Sequence, residues 1–319
     1  MASFQKSNPK HWQGRKSDSQ LYLHEKVECN VDPLQMENCI IVLGYASDEG
    51  VKRNQGRIGA VAGPDAIRLQ LGKMPNHLRA NQRFVDLGTI DCLDGDMEAS
   101  QDLLSEQLAK VLDQKSFPIV LGGGHDIAYG HFNGIQKYLG NNKTIGIINF
   151  DAHFDLRDNS KGNNSGTPFY QIALNSKLNT TEFNYLCLGI RQDANDASLF
   201  KAAKEFGVTF IKNVAFNMQQ TDKVQQTIRS FIDQVDVVYV TLDLDGFSSA
   251  YAPGVSAPSP MGFSPDIVLA SLNTIIESRK MISLDLAEMN PTFDVDQQTA
   301  KLAASLVHYV MHRNVYNQL

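Results

Sequence analysis

Thr144-Ile145-Gly146-Ile147-Ile148-Asn149-Phe150-Asp151-Ala152-His153-Phe154-Asp155 is the stretch that decides the fold. Residues 144–150 are nearly all apolar, as expected of a central strand covered on both faces. The run then breaks into alternating ionisable residues, Asp151, His153 and Asp155. Side chains two apart on an extended backbone point the same way. These three therefore converge where the chain leaves the sheet. In open α/β sheets that carboxyl edge is where ligands bind.

Two further segments repeat the pattern. Pro118-Ile119-Val120-Leu121 reads as a strand that stops at Gly122-Gly123-Gly124, followed by His125. Val237 to Leu242 reads as another strand, running into Asp243 and Asp245. Any one segment alone is most simply a cap, a turn or a loop histidine. Together they place four carboxylates and two imidazoles after apolar strands, where they repel one another unless positive charge sits between them. A pair of divalent cations is the simplest source, and such a pair activates water. Carboxylate-rich coordination with a minority of imidazole suits Mn²⁺ better than a structural zinc site, which favours thiolates. The three glycines allow the backbone to pass close to such a centre.

Outward from these segments, apolar runs alternate with amphipathic ones. Strands are expected at Cys39–Gly44, Arg83–Leu87, Tyr185–Gly189, Val208–Ile211 and Met281–Leu286. Helices are expected from Gly63, over 97–114, from about His125, and near 195–206, 222–234, 264–278 and 297–312. Residues 156–168, rich in Asn, Ser and Gly, read as a loop. This β/α order implies a largely parallel sheet with helices on both faces. The polar first 37 residues are expected to form an N-terminal extension, with a single α/β domain over 38–319.

Composition narrows the function classes. The 319 residues are 42% hydrophobic and carry a net charge of −6, with no long basic run. Nucleic acid is thus not an expected partner. No signal-peptide core or membrane-length apolar run occurs, so no membrane association is expected. The four cysteines have no CxxC spacing, and a reducing cytoplasm is the simplest compartment.

The motifs GGxH (Gly122–His125), DAHxD (Asp151–Asp155) and DxD (Asp243–Asp245) strongly resemble those of the ureohydrolase family, the arginases, agmatinases and their relatives. Asp285-Leu286-Ala287-Glu288-Met289-Asn290-Pro291 resembles a fourth motif, and the likeness runs from about Gly44 to His308. The resemblance implies a three-layer α/β/α fold, a homo-oligomer, and two Mn²⁺ per chain. One ion would take His125, Asp151, Asp155 and Asp243. The other would take Asp151, His153, Asp243 and Asp245, with Asp151 and Asp243 bridging. Asp155 would shuttle a proton, and Glu288 would face a cationic C–N group of a small-molecule substrate. Arg157 falls where the family contacts the carboxylate end of its substrate.

Softer stretches, Asp48 to Arg57, His153 to Arg157 and Ser248 to Pro258, resemble one branch of that family and imply N-formimidoyl-L-glutamate as the substrate. Arginases and agmatinases carry a histidine in a loop motif resembling HG(T/Q)P, where this chain reads Ser165-Gly166-Thr167-Pro168. That departure argues against arginine and agmatine. Arg191, Arg53, Arg57 and Lys161 are further candidates for a dicarboxylate tail, because arginine's planar fork suits carboxylates. The alternatives are hydrolysis of another guanidino or amidino acid, such as agmatine, guanidinobutyrate or arginine, and a non-catalytic metal-binding scaffold. His131, His308 and His312 read as ordinary helix residues.

Overall fold

The computed structural model of the protein describes residues 2–32, 35–140 and 142–313. Its strands are β1 (Ala2–Lys6), β2 (Glu28–Cys29), β3 (Ile40–Ala46), β4 (Phe84–Cys92), β5 (Phe117–Gly122), β6 (Ile145–Phe150), β7 (Asn184–Ile190), β8 (Thr209–Lys212), β9 (Val237–Asp243) and β10 (Met281–Ala287). They form one sheet in the order β1-β4-β3-β5-β10-β9-β6-β7-β8, with β2 also on β4. Every pairing is parallel except β1 against β4.

Period-two alternation splits the apolar side chains between two cores. Ile40 and Val42 of β3 join one core with Ile119, Leu121, Val240 and Leu242. Ile41 and Leu43 join the other with Val120, Ile147 and Tyr239. The first core is closed by helices Gly63–Leu71, Thr221–Ile232, Pro265–Glu277 and Gln298–Arg313. The second is closed by helices Met97–Asp113, Ile127–Leu139, Pro168–Leu178 and Ala197–Glu205. The result is the three-layer α/β/α arrangement with a mostly parallel sheet. Burying each large aliphatic side chain is worth roughly 1.5–3 kcal/mol, and slipping a strand by one residue would exchange its two faces.

One expectation changes. Residues 1–37 are not a loose polar extension where the structure describes them. β1 pairs with β4 from Ala2↔Cys92 to Lys6↔Gly88. Trp12 and Leu23 are buried, and the Trp12 indole donates to Asp86 Oδ2 at 2.8 Å. Asp86 also pairs with the buried Arg68 at 2.9 Å. A polar sequence such as Ala2–Lys6 suits an edge strand, so it resembles an extension when read alone. The expected loop over 156–168 holds to residue 167, where a helix that the sequence did not announce, Pro168–Leu178, begins on a proline. The domain's expected end at 319 lies outside the described residues.

The strand order positions the site. After β5 the chain skips two places to β6, moves outward through β7 and β8, and returns to insert β9 and β10. The four neighbours β5, β10, β9 and β6 all point the same way. Their carboxyl ends deliver His125, Glu288, Asp243 with Asp245, and Asp151 with His153 and Asp155. Register keeps these ends level, with Ala287 opposite Asp243 and Phe150 opposite Leu242.

Candidate metal centre

All six sequence candidates meet in one crevice. His125 Nδ1 lies 2.9 Å from Asp155 Oδ2, 3.0 Å from Asp243 Oδ2 and 3.3 Å from Asp151 Oδ2. His153 Nδ1 lies 3.3 Å from both Asp151 Oδ1 and Asp245 Oδ1. Donor atoms of His125, Asp151, Asp155 and Asp243 fall within 4.8 Å of one another, as do those of Asp151, His153 and Asp245. Asp151 belongs to both groups. Asp243 falls in the first group through Oδ2. Its other oxygen accepts the Asp245 backbone N–H at 2.8 Å.

Local structure aims these groups. Asp151 Oδ1 accepts the His153 N–H at 2.7 Å, and Oδ2 accepts from Asn149 Nδ2 at 3.0 Å. Asp155 has φ +48° and Glu288 φ +65°. Positive φ is uncommon outside glycine, and such strain clusters at functional sites. Glu288 is fixed at both ends: its N–H donates to Gly123 O at 2.8 Å and its Oε1 accepts the His125 N–H at 2.9 Å. A Cβ on Gly123 would stand 2.3 Å from Ser47 O, so only glycine permits this close approach.

The electrostatics follow from burial. It drives the Glu288 carboxyl well above the ordinary range, with further push from Asp243 and Asp245. Asp245 is raised by burial and then by Asp243, and Asp155 by burial and then by Asp151. Burial works against the charged imidazoles, but the carboxylates outweigh it and hold His125 and His153 well above the usual value. Burial also opposes ionisation of Asp151, yet the two histidines hold its carboxyl below the usual range. His125 Nδ1 and Asp245 Oδ1 are buried without a hydrogen-bond partner among the described residues. Unpartnered buried donors amid carboxylates are what metal ligands look like in outline, and the mixed oxygen–nitrogen set fits a pair of dications.

A cavity of about 170 Å³ opens over these groups, lined also by Asn54, Arg157, Ser165, Ser256 and Ala257. Ser165 is buried, and its Oγ accepts from Asn54 Nδ2 at 3.2 Å. Arg157 also borders an adjoining outer basin with Arg53 and Lys161. Among the described residues the Arg157 guanidinium makes no ion pair, whereas Arg53 is paired with Glu49 and Glu98. The other two candidate cations lie off both cavities. Arg57 stacks on Phe293 at 3.7 Å and donates to Val255 O and Ser256 O. Arg191 pairs with Asp193 at 2.6 Å.

Sequence reading passed over Asn149, Thr241 and the side chain of Asp285 as partners of the site. All three are fully buried. The signal was present: a polar residue inside a strand covered on both faces needs a partner.

A model of the arginase family matches residues 38–312. The formimidoylglutamase of Aeromonas salmonicida (strain A449) is 41% identical over 97% of this chain and 99% of its own length. The crystal structure of formimidoylglutamase from Bacillus subtilis subsp. subtilis str. 168 superposes with a TM-score of 0.81 at 22% identity, covering 94% of each chain. That of Trypanosoma cruzi formiminoglutamase with Mn²⁺ gives 0.79 at 21% identity, over 93% of this chain and 99% of the other.

Proposed function

The chain belongs to the arginase family, and from that premise we propose that it hydrolyses N-formimidoyl-L-glutamate to L-glutamate and formamide at a centre of two Mn²⁺. The observation that carries this reading is the pair of ligand groups sharing Asp151, beneath a cavity lined by Arg157, which makes no ion pair among the described residues. His125, Asp151, Asp155 and Asp243 would hold one ion, and Asp151, His153 and Asp245 the other. Bound there, a pair of dications lowers the pKa of water and so supplies a nucleophile at neutral pH.

The chain's own residues supply the rest. Glu288 faces the cationic amidine and orients its carbon. Asp155 takes the proton that the attacking water gives up and returns it to the departing glutamate nitrogen. The C–N bond to glutamate breaks and the formyl carbon leaves as formamide. Arg157, with Lys161 beside it in the outer basin, meets the two carboxylates of the tail, while a cationic tail such as that of agmatine is repelled. Ser165 cannot relay protons near neutral pH as a histidine does, which turns the site away from arginase-type chemistry. No described helix is long and apolar enough to cross a membrane, and the same reading includes a homo-oligomer acting in the cytoplasm.

A product assay tests the proposal. Purified chain loaded with Mn²⁺ is offered N-formimidoyl-L-glutamate, guanidinobutyrate, agmatine and arginine, with formamide, ammonia and urea measured separately. Formamide from the first substrate alone is expected. Urea from a guanidino substrate at a higher kcat/KM overturns it.

A further inference from the structure

The polar side chains behind His125 form a directed chain that the reaction itself does not use. His125 Nε2 lies 3.0 Å from Thr241 Oγ1, and Thr241 Oγ1 donates to Asp285 Oδ1 at 2.6 Å. Thr241 and Asp285 face each other across β9 and β10 in register. Asp285 Oδ2 accepts the Tyr239 hydroxyl, two residues before Thr241 on the same face of β9. His131 Nδ1 lies 2.7 Å from that oxygen, outside hydrogen-bonding direction, with its ring stacked on Tyr239. Asp285, Thr241, His125 and His131 are all fully or almost fully buried.

Proton counting gives the chain its direction. A threonine hydroxyl has one hydrogen and two lone pairs. A carboxylate is the stronger acceptor, so that hydrogen goes to Asp285. Toward His125 the hydroxyl can then only accept, so Nε2 carries the N–H. The second carboxylate oxygen is occupied by Tyr239, whose hydroxyl stays protonated because burial, and then the Asp285 charge, raise its pKa well above the usual value. Nothing in the chain can reverse without leaving Asp285 a buried carboxylate short of a donor, which costs about 1–3 kcal/mol.

We propose that Asp285 is a positioning residue which, through the Thr241 hydroxyl, fixes His125 in the tautomer that turns its Nδ1 lone pair toward Asp151, Asp155 and Asp243, and thereby sets the affinity of that one metal position. The inference rests on the two-metal reading of the crevice. It separates the two positions, because the chain of hydrogen bonds ends on His125 and not on His153. Outer partners of metal-ligating histidines are typically worth ten- to a hundredfold in affinity.

The test is a titration of metal-free protein with Mn²⁺, followed by the electron paramagnetic resonance of the free ion, on wild type, Thr241→Val, Thr241→Ser and Asp285→Asn. Wild type is expected to bind two ions. Thr241→Val, close in shape but without the hydroxyl, is expected to weaken one ion about ten- to a hundredfold and leave the other unchanged. Thr241→Ser restores the hydroxyl and is expected to bind within a few-fold of wild type. Asp285→Asn is expected to weaken the same ion as Thr241→Val; should its loss of a buried charge prevent folding, Thr241→Val decides alone. Wild-type affinity at both positions in Thr241→Val overturns the proposal. So does parallel weakening of both ions that Thr241→Ser fails to restore. A wild type that binds no Mn²⁺ overturns the two-metal reading itself, a result distinct from either.

Discussion

Two groups of histidines in this molecule have opposite chemistry, and their neighbours explain why. In the crevice, His125 and His153 face carboxylates, and their pKa values rise despite burial. On the outer helix Gln298–Arg313, His308 and His312 stack at 4.0 Å between ring centres, with His77 5.7 Å from His312. Here burial lowers both, and His312 falls to about 4. His312 is fully engaged: Nδ1 donates to His308 O at 2.7 Å, and Nε2 accepts the His77 N–H at 3.0 Å. In the crevice, by contrast, His125 Nδ1 and Asp245 Oδ1 have no hydrogen-bond partner and the Arg157 guanidinium makes no ion pair among the described residues. A cluster of titratable groups becomes a candidate site when polar atoms remain free to meet a ligand. A saturated cluster is a fastening.

The largest expected effect is on Asp151, the residue common to both ligand groups. Asp151→Asn removes the shared negative charge while keeping size. Metal analysis after loading should show both ions lost, and activity should fall by more than the ~100-fold upper range of outer-partner changes. The matching change in the stack, His312→Gln, should leave metal content and activity alone. Equal metal content in Asp151→Asn and wild type would break the contrast at its centre.

Glu288 sharpens it next. Glu288→Gln keeps an oxygen to accept the His125 N–H but removes the carboxylate charge that two bound dications and a cationic amidine would favour against burial. Losing a charge-assisted contact costs on the order of 1.5–3 kcal/mol, roughly ten- to a hundredfold in kcat/KM. Two ions should still bind. Unaltered kcat/KM would leave Glu288 as a backbone fastener only, on the same footing as His312.

Arg157 lines both the cavity and the outer basin and makes no ion pair among the described residues, so its removal should act on binding. Arg157→Ala should raise KM for N-formimidoyl-L-glutamate roughly tenfold, from about 1.5 kcal/mol of lost contact, with kcat little changed. An unchanged KM would mean that Lys161, or Arg53 released from Glu49 and Glu98, holds the tail.

The sequence made the crevice legible because its ligands lie two apart at the ends of strands, and strand geometry alone converges such residues. The central strands were equally legible, since Ile145–Phe150 and Val237–Asp243 are buried on both faces and read as apolar runs. β1 was not, because an edge strand facing water needs no apolar pattern. The fate of the cations was not legible either. Nothing local shows that Arg57 stacks on Phe293 or that Arg191 turns back on Asp193, while Arg157 makes no ion pair among the described residues. Thr241 and Asp285 were visible as polar residues in buried strands, but their pairing depends on β10 inserting beside β9, a long-range event. His308 and His312 read as ordinary helix residues, and they lie on helix Gln298–Arg313 with both nitrogens of His312 taken, by His308 O and the His77 N–H.

The smallest effect belongs to the stack, and its sign can be worked out. A histidine in the unfolded chain titrates near 6.5, whereas His312 in the fold titrates at about 4. Between those values the unfolded state binds more protons, so stability is full above pH 6.5 and is lost as the pH falls toward 4. Protonating His312 puts a proton on Nε2, where it opposes the His77 N–H, and adds charge beside His308. The ring is only partly buried, so the loss is discounted to about 1–2 kcal/mol, roughly 2–4 °C in Tm. His312→Gln keeps one donor for His308 O and one acceptor for the His77 N–H but cannot titrate. Melting curves from pH 7 to 4.5, with both proteins stripped of metal so that acid release of ions does not contribute, should show a shallower acid decline for His312→Gln. The crevice histidines, raised rather than lowered, act in the opposite direction in both proteins and cancel in the comparison. Parallel declines would mean that His312 already carries its proton near neutral pH, and that its bond to His77 is not the fastening described.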